Sequence, residues 1–341
     1  SNTSNGGYYV PFVGQSGSTG TLYYNSTASN SIYFNPSTGR LGIGTSSPDE
    51  KLEVNGNIKL GAAGRIIINS SAPNIIIQGS SGTAANMTGS KNIIMGEETA
   101  HDITSGHNNN ILGHQAGYKL TTGAHNNIMG YMAANQGIMI GIGYNNIFGR
   151  QAGYSMTSGN NNNISGYKAG YNLTTGAHNN IMGYEAASAG IMTGNGYNNI
   201  MGYEAGYNMT SGTYNNIFGW NAGWNINTGD HNILVGYQAG KSITSGERNY
   251  FIGVQAGLYV SGSNNIAIGS HTCGSGNSSP VTSGNYNINM GHKAGYLLTG
   301  GQYNNLFGYE AGKNISSGGY NTAVGFRTLE SLTTGSNNTA I

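Results

Sequence analysis

The sequence predicts an all-β protein: a β-solenoid or β-roll of coils of about 17 residues, preceded by a β-rich N-terminal region. A short motif, N-N-I-x-G, recurs from Lys91 to Ile341, and its final glycines are mostly 17 residues apart. Gly and Asn recur every few residues, and both are poor helix formers. Repeats this short bury their apolar faces only by stacking on their neighbours, which is the arrangement of a solenoid.

Residues 1–61 form the predicted N-terminal β-rich region, which carries short strand-like runs such as YYVPFV, TLYYNS and SIYFNPSTG. The segment Asn35 to Gly39 is rich in turn residues and predicts a tight turn between two strands. Asn55-Gly56 predicts a hairpin-type turn after an alternating strand that contains Leu52 and Val54. Residues 62–90 form a short predicted β linker. Its isoleucine triplets, Ile66 to Ile68 and Ile75 to Ile77, predict strands buried on both faces.

Residues 91–341 hold about 14 predicted coils, of which the last is partial. We call the glycine that ends each N-N-I-x-G the anchor glycine. Apolar residues stand one and two positions before it and seven after it, a small residue stands three after it, and glycine usually recurs ten after it. In one coil these are Ile217, Phe218, Gly219, Ala222, Ile226 and Gly229.

We expect two short strands per coil, with glycine at both corners to supply the positive φ angles of tight turns. The asparagine that opens each motif is expected to stack on its counterparts in the neighbouring coils as a hydrogen-bonded ladder. Two coils, which contain ANQGIMIGIGY and ASAGIMTGNGY, carry two extra residues and are expected to bulge at the surface.

Two adjacent columns of the repeat are apolar, although neighbouring side chains of a strand point to opposite faces. We call the Ile217-type positions the inner column and the Phe218-type positions the outer column. The inner column can line the coil, but the outer column then needs cover, since monomers rarely expose a long apolar stripe. We therefore expect an oligomer around a shared axis. The alternative is that the outer column packs on another segment of the chain or stays exposed.

Residues 40 to 61 contain GIGTSSPDEKLEVNGNI, preceded by YFNPSTGRLGIG, and the chain closes on NTAVGFRTLESLTTGSNNTAI. These segments resemble motifs of phage and viral tail fibres and related extracellular fibre proteins. The repeats are also similar to the β-roll heads of trimeric autotransporter adhesins. The resemblance implies a homotrimeric β-rich fibre, extracellular or on a virion surface, with the possibility of end-to-end assembly. We expect the sequence to be a piece of a longer protein.

Composition narrows the classes of function. Only 7% of residues are charged and the net charge is +1, so there is no basic field to attract nucleic acid or an anionic membrane. No run of 18 apolar residues predicts a membrane span. Cys273 is the only cysteine, which excludes an intrachain disulfide, and it stands in a column of small residues. We expect it to be a buried structural thiol.

No sequence pattern indicates catalysis, a metal site or a cofactor site. The acidic residues are scattered, and there is no nucleophile elbow, phosphate loop or zinc spacing. His125, His178 and His231 share a column with tyrosines such as Tyr197, and that exchange favours aromatic stacking over metal coordination. Pairs of threonines hint at an ice-binding row, but serine interrupts them.

Aromatic residues form the remaining candidate site, since rings beside hydroxyl and amide groups can stack on sugars. One column directly follows the anchor glycine and a second lies four residues further on. The candidate glycan contacts are Trp220, Trp224, Tyr203, Tyr207 and Tyr237. The alternative is that these rings stack between coils.

Two functions are therefore open. The first is a structural subunit of a fibre. The second is an adhesin or receptor-binding module that recognises surface glycans through these aromatics or through the long loop from His271 to Asn285.

Overall fold

The computed structural model describes residues 8–9, 12–13, 22–23, 32–35, 37–45, 47–56, 58, 74–77, 87–274 and 283–341. Within these ranges the chain forms strands and turns, and no helix. The strands are β1 Tyr8–Tyr9, β2 Phe12–Val13, β3 Leu22–Tyr23, β4 Ile32–Asn35, β5 Arg40–Ile43, β6 Leu52–Val54, β7 Ile75–Ile77, β8 Ile93–Met95, β9 Asn110–Leu112, β10 Asn127–Met129, β11 Asn146–Phe148, β12 Asn163–Ser165, β13 Asn180–Met182, β14 Asn199–Met201, β15 Asn216–Phe218, β16 Ile233–Val235, β17 Tyr250–Ile252, β18 Ile266–Ile268, β19 Ile288–Met290, β20 Asn305–Phe307, β21 Thr322–Val324 and β22 Thr339–Ala340.

The chain divides into two compact units, Ser1–Asn69 and Ser70–Ile341. The first unit contains a four-stranded sheet of order β1-β4-β5-β6 and the separate pair β2-β3. Strands β4 and β5 are antiparallel around the turn predicted from Asn35 to Gly39. The hairpin predicted at Asn55-Gly56 does not appear in the described part of this unit, where β6 pairs in parallel with β5.

Strand β7 lies in the segment that the sequence suggests as a linker, yet it pairs in parallel with β8 and is the first strand of the solenoid sheet. Only Ile76 packs against the core, while Ile75 and Ile77 are 39% and 57% exposed. Within the described residues of a single chain the triplet is therefore buried on one face only, and its predicted burial on both faces stays a prediction for an assembly of several copies. Ile66 to Ile68 lie outside the described residues.

The second unit is a parallel β-solenoid whose sheet has 16 strands in unbroken sequence order from β7 to β22. Each strand pairs with the equivalent positions one coil away; Ile217, for example, lies opposite Ile200. The predicted solenoid of coils of about 17 residues is confirmed. Most coils keep this length because residues at equivalent positions of neighbouring coils bond to each other.

Each coil contains one strand, of three residues in all but the last, rather than the two strands that the sequence predicts. After the anchor glycine the chain passes through turns in which the second residue has a positive φ, as in Gln115 at +54°. His125, at the turn that leads into the next strand, has a φ of +60°. A positive φ takes the backbone out of the extended region, so the part of the coil near Leu120 remains turn-like. The N–H of Leu120 bonds to the carbonyl oxygen of Gly117 in its own coil, and that of Thr121 bonds to Met139 in the next coil.

The two corner glycines predicted for each coil have different roles, and the prediction that both supply positive φ is half wrong. The anchor Gly219 has a φ of +137°, a region that residues with a side chain rarely occupy. The second glycine, Gly229, has no such φ. It is required because a Cβ there would lie 2.5 Å from the carbonyl oxygen of Gly246 in the next coil.

The core is a narrow apolar column that runs along the whole solenoid. The inner-column side chains are fully buried from Ile111 to Ile217, and the apolar column seven residues after the anchor glycine, such as Ile226, is buried against them. Alanines such as Ala222 fill the tight corner between the two.

The predicted asparagine ladder is present and runs beside this core. Asn232 donates its N–H and its side-chain Nδ2 to Oδ1 of Asn215, at 3.0 Å each, and Nδ2 also donates to the carbonyl oxygen of Gly246 at 2.9 Å. The same pattern recurs in the following coil, where Asn249 donates to Asn232 and to Gly262. Because each buried amide uses all of its bonding capacity, the ladder fixes the register of the coils.

Candidate binding surface

The outer face of the long sheet is the broadest regular surface of the solenoid. In β15 the middle residue, Ile217, is buried, while Asn216 and Phe218 on either side of it are half-buried and point outward. The same pattern holds in most coils. The outer column is half-buried in the middle of the solenoid and becomes more exposed at Met129, Ile252 and Val324, which are 37%, 41% and 39% exposed. The apolar stripe inferred from the sequence therefore exists, on the outside of the chain.

The polar residues of this outer face bond to each other along the sheet. Asn110 donates Nδ2 to Oδ1 of Asn127 at 2.9 Å, and Asn127 donates in the same way to Asn146 at 2.7 Å. Asn199 donates to Asn216 at 2.8 Å. These amides have partners within the chain, so covering the face with another surface would leave few of their hydrogen bonds unmade.

From β16 to β19 both outward positions of the strands are apolar. These positions are Ile233, Val235, Tyr250, Ile252, Ile266, Ile268, Ile288 and Met290. Four consecutive strands thus carry an apolar patch two columns wide, which is larger than the single exposed apolar residues that are normal on a soluble surface.

Three aromatic rows run along the solenoid axis. Row one follows the anchor glycine, row two lies four residues further on, and row three precedes the buried asparagine. The rings stack on their counterparts one coil away: Tyr184 and Tyr203 have ring centroids 4.9 Å apart and planes 2° apart. Because the ring faces are used in stacking, most of these residues present only ring edges to solvent.

Row three contains the histidines and tyrosines that exchange in the sequence, and it is stacked as predicted. His178 lies on Tyr197 with centroids 4.6 Å apart and planes 5° apart, and Tyr214 lies on His231 at 4.9 Å. No group of three or more His, Cys, Asp or Glu side chains in the described ranges is arranged to hold a metal ion.

Trp220 interrupts row one. Its indole plane is tilted by 48° from Tyr203 and by 79° from Tyr237, with centroids 5.1 and 6.1 Å away. Neither neighbour is parallel to the indole, and the side chain is 56% exposed. Partial desolvation, with the Glu204 carboxylate adding to it, raises the pKa of the adjacent Tyr203. Trp220 and Tyr237 are therefore the candidate residues of this row without a parallel stacking partner among the described residues, and Trp220 is the more exposed of the two.

Trp224, the other tryptophan of the predicted set, has stacking, cation–π and hydrogen-bond contacts in row two. Its ring stacks on Tyr207 with centroids 5.4 Å apart and planes 4° apart, and the ammonium of Lys241 lies 5.9 Å from its ring centre. Its Nε1 donates to Oε2 of Glu204 at 3.0 Å, and the same carboxylate oxygen accepts from Asn221. These contacts give Trp224 and Tyr207 a structural role between coils.

The longer coils bulge at the surface, as predicted, and they carry exposed isoleucines that we did not expect from the sequence. Ile138, Ile140 and Ile142 are 55%, 55% and 58% exposed, and Ile191 of the second longer coil is 60% exposed. The alternation of isoleucine in GIMIGIG is the signal that could have indicated them. Of the other proposed loop, from His271 to Asn285, residues 275–282 lie outside the described ranges.

Comparison with known proteins gives no relative: no protein-family model matches the chain, and no curated protein and no solved structure matches it significantly. In the described part of the chain there is no helix of the length and apolar character needed to cross a membrane.

Proposed function

We propose that the chain is a structural subunit of an extracellular or virion fibre, in which three copies pack their outer sheet faces together around one axis. The observation that carries the proposal is the outer column, an apolar stripe on a regular sheet face that extends along the solenoid and that the described residues leave half-buried or exposed. Three faces arranged as a triangular prism would cover three stripes at once.

The construction of the solenoid supports a mechanical role. One sheet of 16 strands and a buried asparagine ladder connect every coil to the next, so a load along the axis is shared by many parallel hydrogen bonds. Stacked aromatic rows add contacts between coils on the outside. Only 7% of the residues are charged, so two copies can bring their faces together without removing many charged groups from water.

Electron microscopy of the purified chain, and of the native object where it is obtained, tests this proposal. Thin rods with three-fold cross-sections, joined end to end in the native object, support the fibre. Single thin particles with no repeated association contradict it.

The second candidate function is glycan recognition, and the orientation of Trp220 is the observation that favours it. Its indole is exposed and is not paired in parallel with a neighbour, so a pyranose ring can stack on it. Tyr203 lies in row one beside Trp220, and Glu204 is the next residue along the chain. The tyrosine hydroxyl and the glutamate carboxylate are groups that can form hydrogen bonds with sugar hydroxyls.

A glycan array probed with the intact chain tests this candidate. A specific hit that Trp220→Ala abolishes and Trp224→Phe retains supports a site at Trp220, since the second variant keeps the row-two stacking. Absence of any hit, or equal loss in both variants, removes the site at Trp220 as a candidate.

A further inference from the structure

Row three includes a run of tyrosines in successive coils, Tyr286, Tyr303 and Tyr320. The ring centroids of Tyr286 and Tyr303 are 5.0 Å apart with planes 3° apart, and those of Tyr303 and Tyr320 are 4.9 Å apart with planes 13° apart. The three side chains are 49%, 42% and 61% exposed. Each phenol of the run therefore has a second phenol directly beside it, and both remain accessible to a dissolved reagent.

The backbone holds Tyr303 and Tyr320 in equivalent positions of two neighbouring coils. Both residues have a φ of +57°, and the N–H of Tyr320 donates to the carbonyl oxygen of Gln302 at 2.9 Å. The residues that follow them are rungs of the buried ladder: Asn321 donates its N–H and Nδ2 to Oδ1 of Asn304, at 3.1 and 3.0 Å. The spacing of the coils therefore sets the separation of the two rings.

The same two coils contain a second stack that has only one phenol. Tyr309 lies on Phe326 in row one, with ring centroids 5.3 Å apart and planes 13° apart, and the side chains are 44% and 70% exposed. Stacking across these coils thus occurs with a phenyl ring as well as with a phenol. What distinguishes Tyr303 and Tyr320 is chemical, since each of the two neighbouring rings can lose an electron and a hydroxyl proton.

We propose that Tyr303 and Tyr320 are a site of oxidative modification, at which a peroxide and a peroxidase join two neighbouring coils through a dityrosine bond. The stacking across coils directs the coupling, because it holds the two reacting rings together before either is oxidised. The bond closes a covalent loop of one coil, and a crosslink of this kind restricts the unfolded chain. The site lies within one chain, so it does not depend on the proposed trimer.

The reaction is a two-electron oxidation of the pair. Each phenol gives one electron to the oxidant and its hydroxyl proton to water, which leaves two phenoxyl radicals. The radicals couple through one ring carbon next to each oxygen, so a single carbon–carbon bond forms. The hydrogen on each of these carbons is then transferred through solvent to the oxygen of the same ring, which restores both phenols. Hydrogen peroxide takes up the two electrons and two protons, its oxygen–oxygen bond breaks, and two water molecules result.

The test treats the intact chain at low concentration with hydrogen peroxide and a haem peroxidase, and then digests the band of single-chain mass from a denaturing gel with trypsin. Cleavage after Lys313 separates Tyr303, in peptide 294–313, from Tyr320, which is the only tyrosine of peptide 314–327. We expect mass spectrometry to find these peptides joined, with the mass of two hydrogen atoms lost and the link on Tyr303. Absence of the joined peptides, or their presence only in bands of several chains, overturns the proposal.

Three variants test which rings react, and circular dichroism confirms that each is folded. Tyr303→Phe keeps the stacked ring but removes one phenol, and we expect the link to Tyr320 to be lost. Tyr309→Phe is the matched control in the same peptide and should leave that link unchanged. Phe326→Tyr places a second phenol beside Tyr309, and we expect it to add a link at Tyr309.

Two results would contradict this account. A link to Tyr320 that persists at the same yield in Tyr303→Phe overturns the assignment to this pair. A Phe326→Tyr chain that gains no link at Tyr309 overturns the claim that stacking across coils directs the coupling.

Discussion

Asn215 donates both its backbone N–H and its side-chain Nδ2 to Oδ1 of Asn198, at 2.9 and 3.2 Å. The same Nδ2 donates to the carbonyl oxygen of Gly229 at 2.8 Å. One buried side chain thereby joins its own coil to both neighbours. A side chain that only accepts cannot replace it, because both partners of Nδ2 are oxygens.

Asn215→Asp tests this requirement with almost no change in shape. The aspartate would place a carboxylate oxygen against Oδ1 of Asn198 and the carbonyl oxygen of Gly229. We expect the free energy of unfolding to fall by about 3–5 kcal/mol, as for other uncompensated buried charges. Urea unfolding followed by circular dichroism measures the loss.

Asn161→Asp is the matched control, since Asn161 is exposed and its Nδ2 donates to Oδ1 of the neighbouring Asn160 and not to the buried ladder. It should change stability by less than about 1 kcal/mol. Equal losses in the two variants would show that the buried ladder does not require a donor.

The outer face yields a prediction about assembly. Ile252→Lys places a charge in the middle of the apolar patch on β16 to β19, where a single chain leaves the side chain 41% exposed. In an isolated chain this substitution costs little, but in an interface it buries an unpaired charge. We therefore expect the proposed trimer to dissociate into folded monomers.

Light scattering gives the mass of the Ile252→Lys variant and circular dichroism its fold. Thr228→Lys, at an exposed position outside the sheet, is the control and should leave the assembly intact. An Ile252→Lys variant with an unchanged mass would place the interface elsewhere.

Glu310 predicts a specific dependence of stability on pH. Its carboxylate accepts from Nζ of Lys313 at 3.0 Å and from Nε of Arg327 at 2.9 Å, and the side chain is 4% exposed. The bond from Lys313, with help from Arg327, lowers the pKa of Glu310 below its ordinary value of 4.5. A lowered folded-state pKa means that the stabilisation is complete above the ordinary value and is lost as the pH falls through the folded value.

Glu310→Gln removes this contribution. We expect the variant to be less stable than the natural chain at pH 7, and the difference in midpoint of urea unfolding to shrink as the pH is lowered from 4.5. A difference that stays constant over that range would mean that the ion pairs contribute nothing to stability.

Substitutions of the two tryptophans should differ in their effect on the stability of the protein as well as on glycan binding. Trp224→Phe keeps a ring in row two but loses the hydrogen bond to Glu204, so we expect a loss of about 1–2 kcal/mol. Trp220→Phe loses no hydrogen bond seen in the structure and should change stability by less than about 0.5 kcal/mol. Thermal unfolding of both variants compares them directly, and a larger loss at position 220 would contradict the assignment of roles.

Much of the solenoid follows from the sequence because it is periodic. The coil length, the buried Ile217 column, the asparagine ladder and the stacking of His178 on Tyr197 each depend on one residue type that returns at a fixed spacing. Such a pattern can be recognised in the sequence because the same contact recurs between successive coils.

Other features could not be predicted because they depend on backbone angles or on single partners. Gln115 and His125 have positive φ although neither is glycine, and this reduces each coil to one strand. From the sequence, Trp220 and Trp224 are equally good candidates for glycan contacts. The structure separates them because only Trp224 has the Glu204 carboxylate within reach of its Nε1.

The mass of the purified chain in solution, measured by analytical ultracentrifugation, tests the central claim most directly. A trimer packed through the outer column predicts a single species of three times 35.4 kDa that persists on dilution. A stable, fully folded species of 35.4 kDa, with Ile252 and Phe218 left in water, would contradict the fibre account.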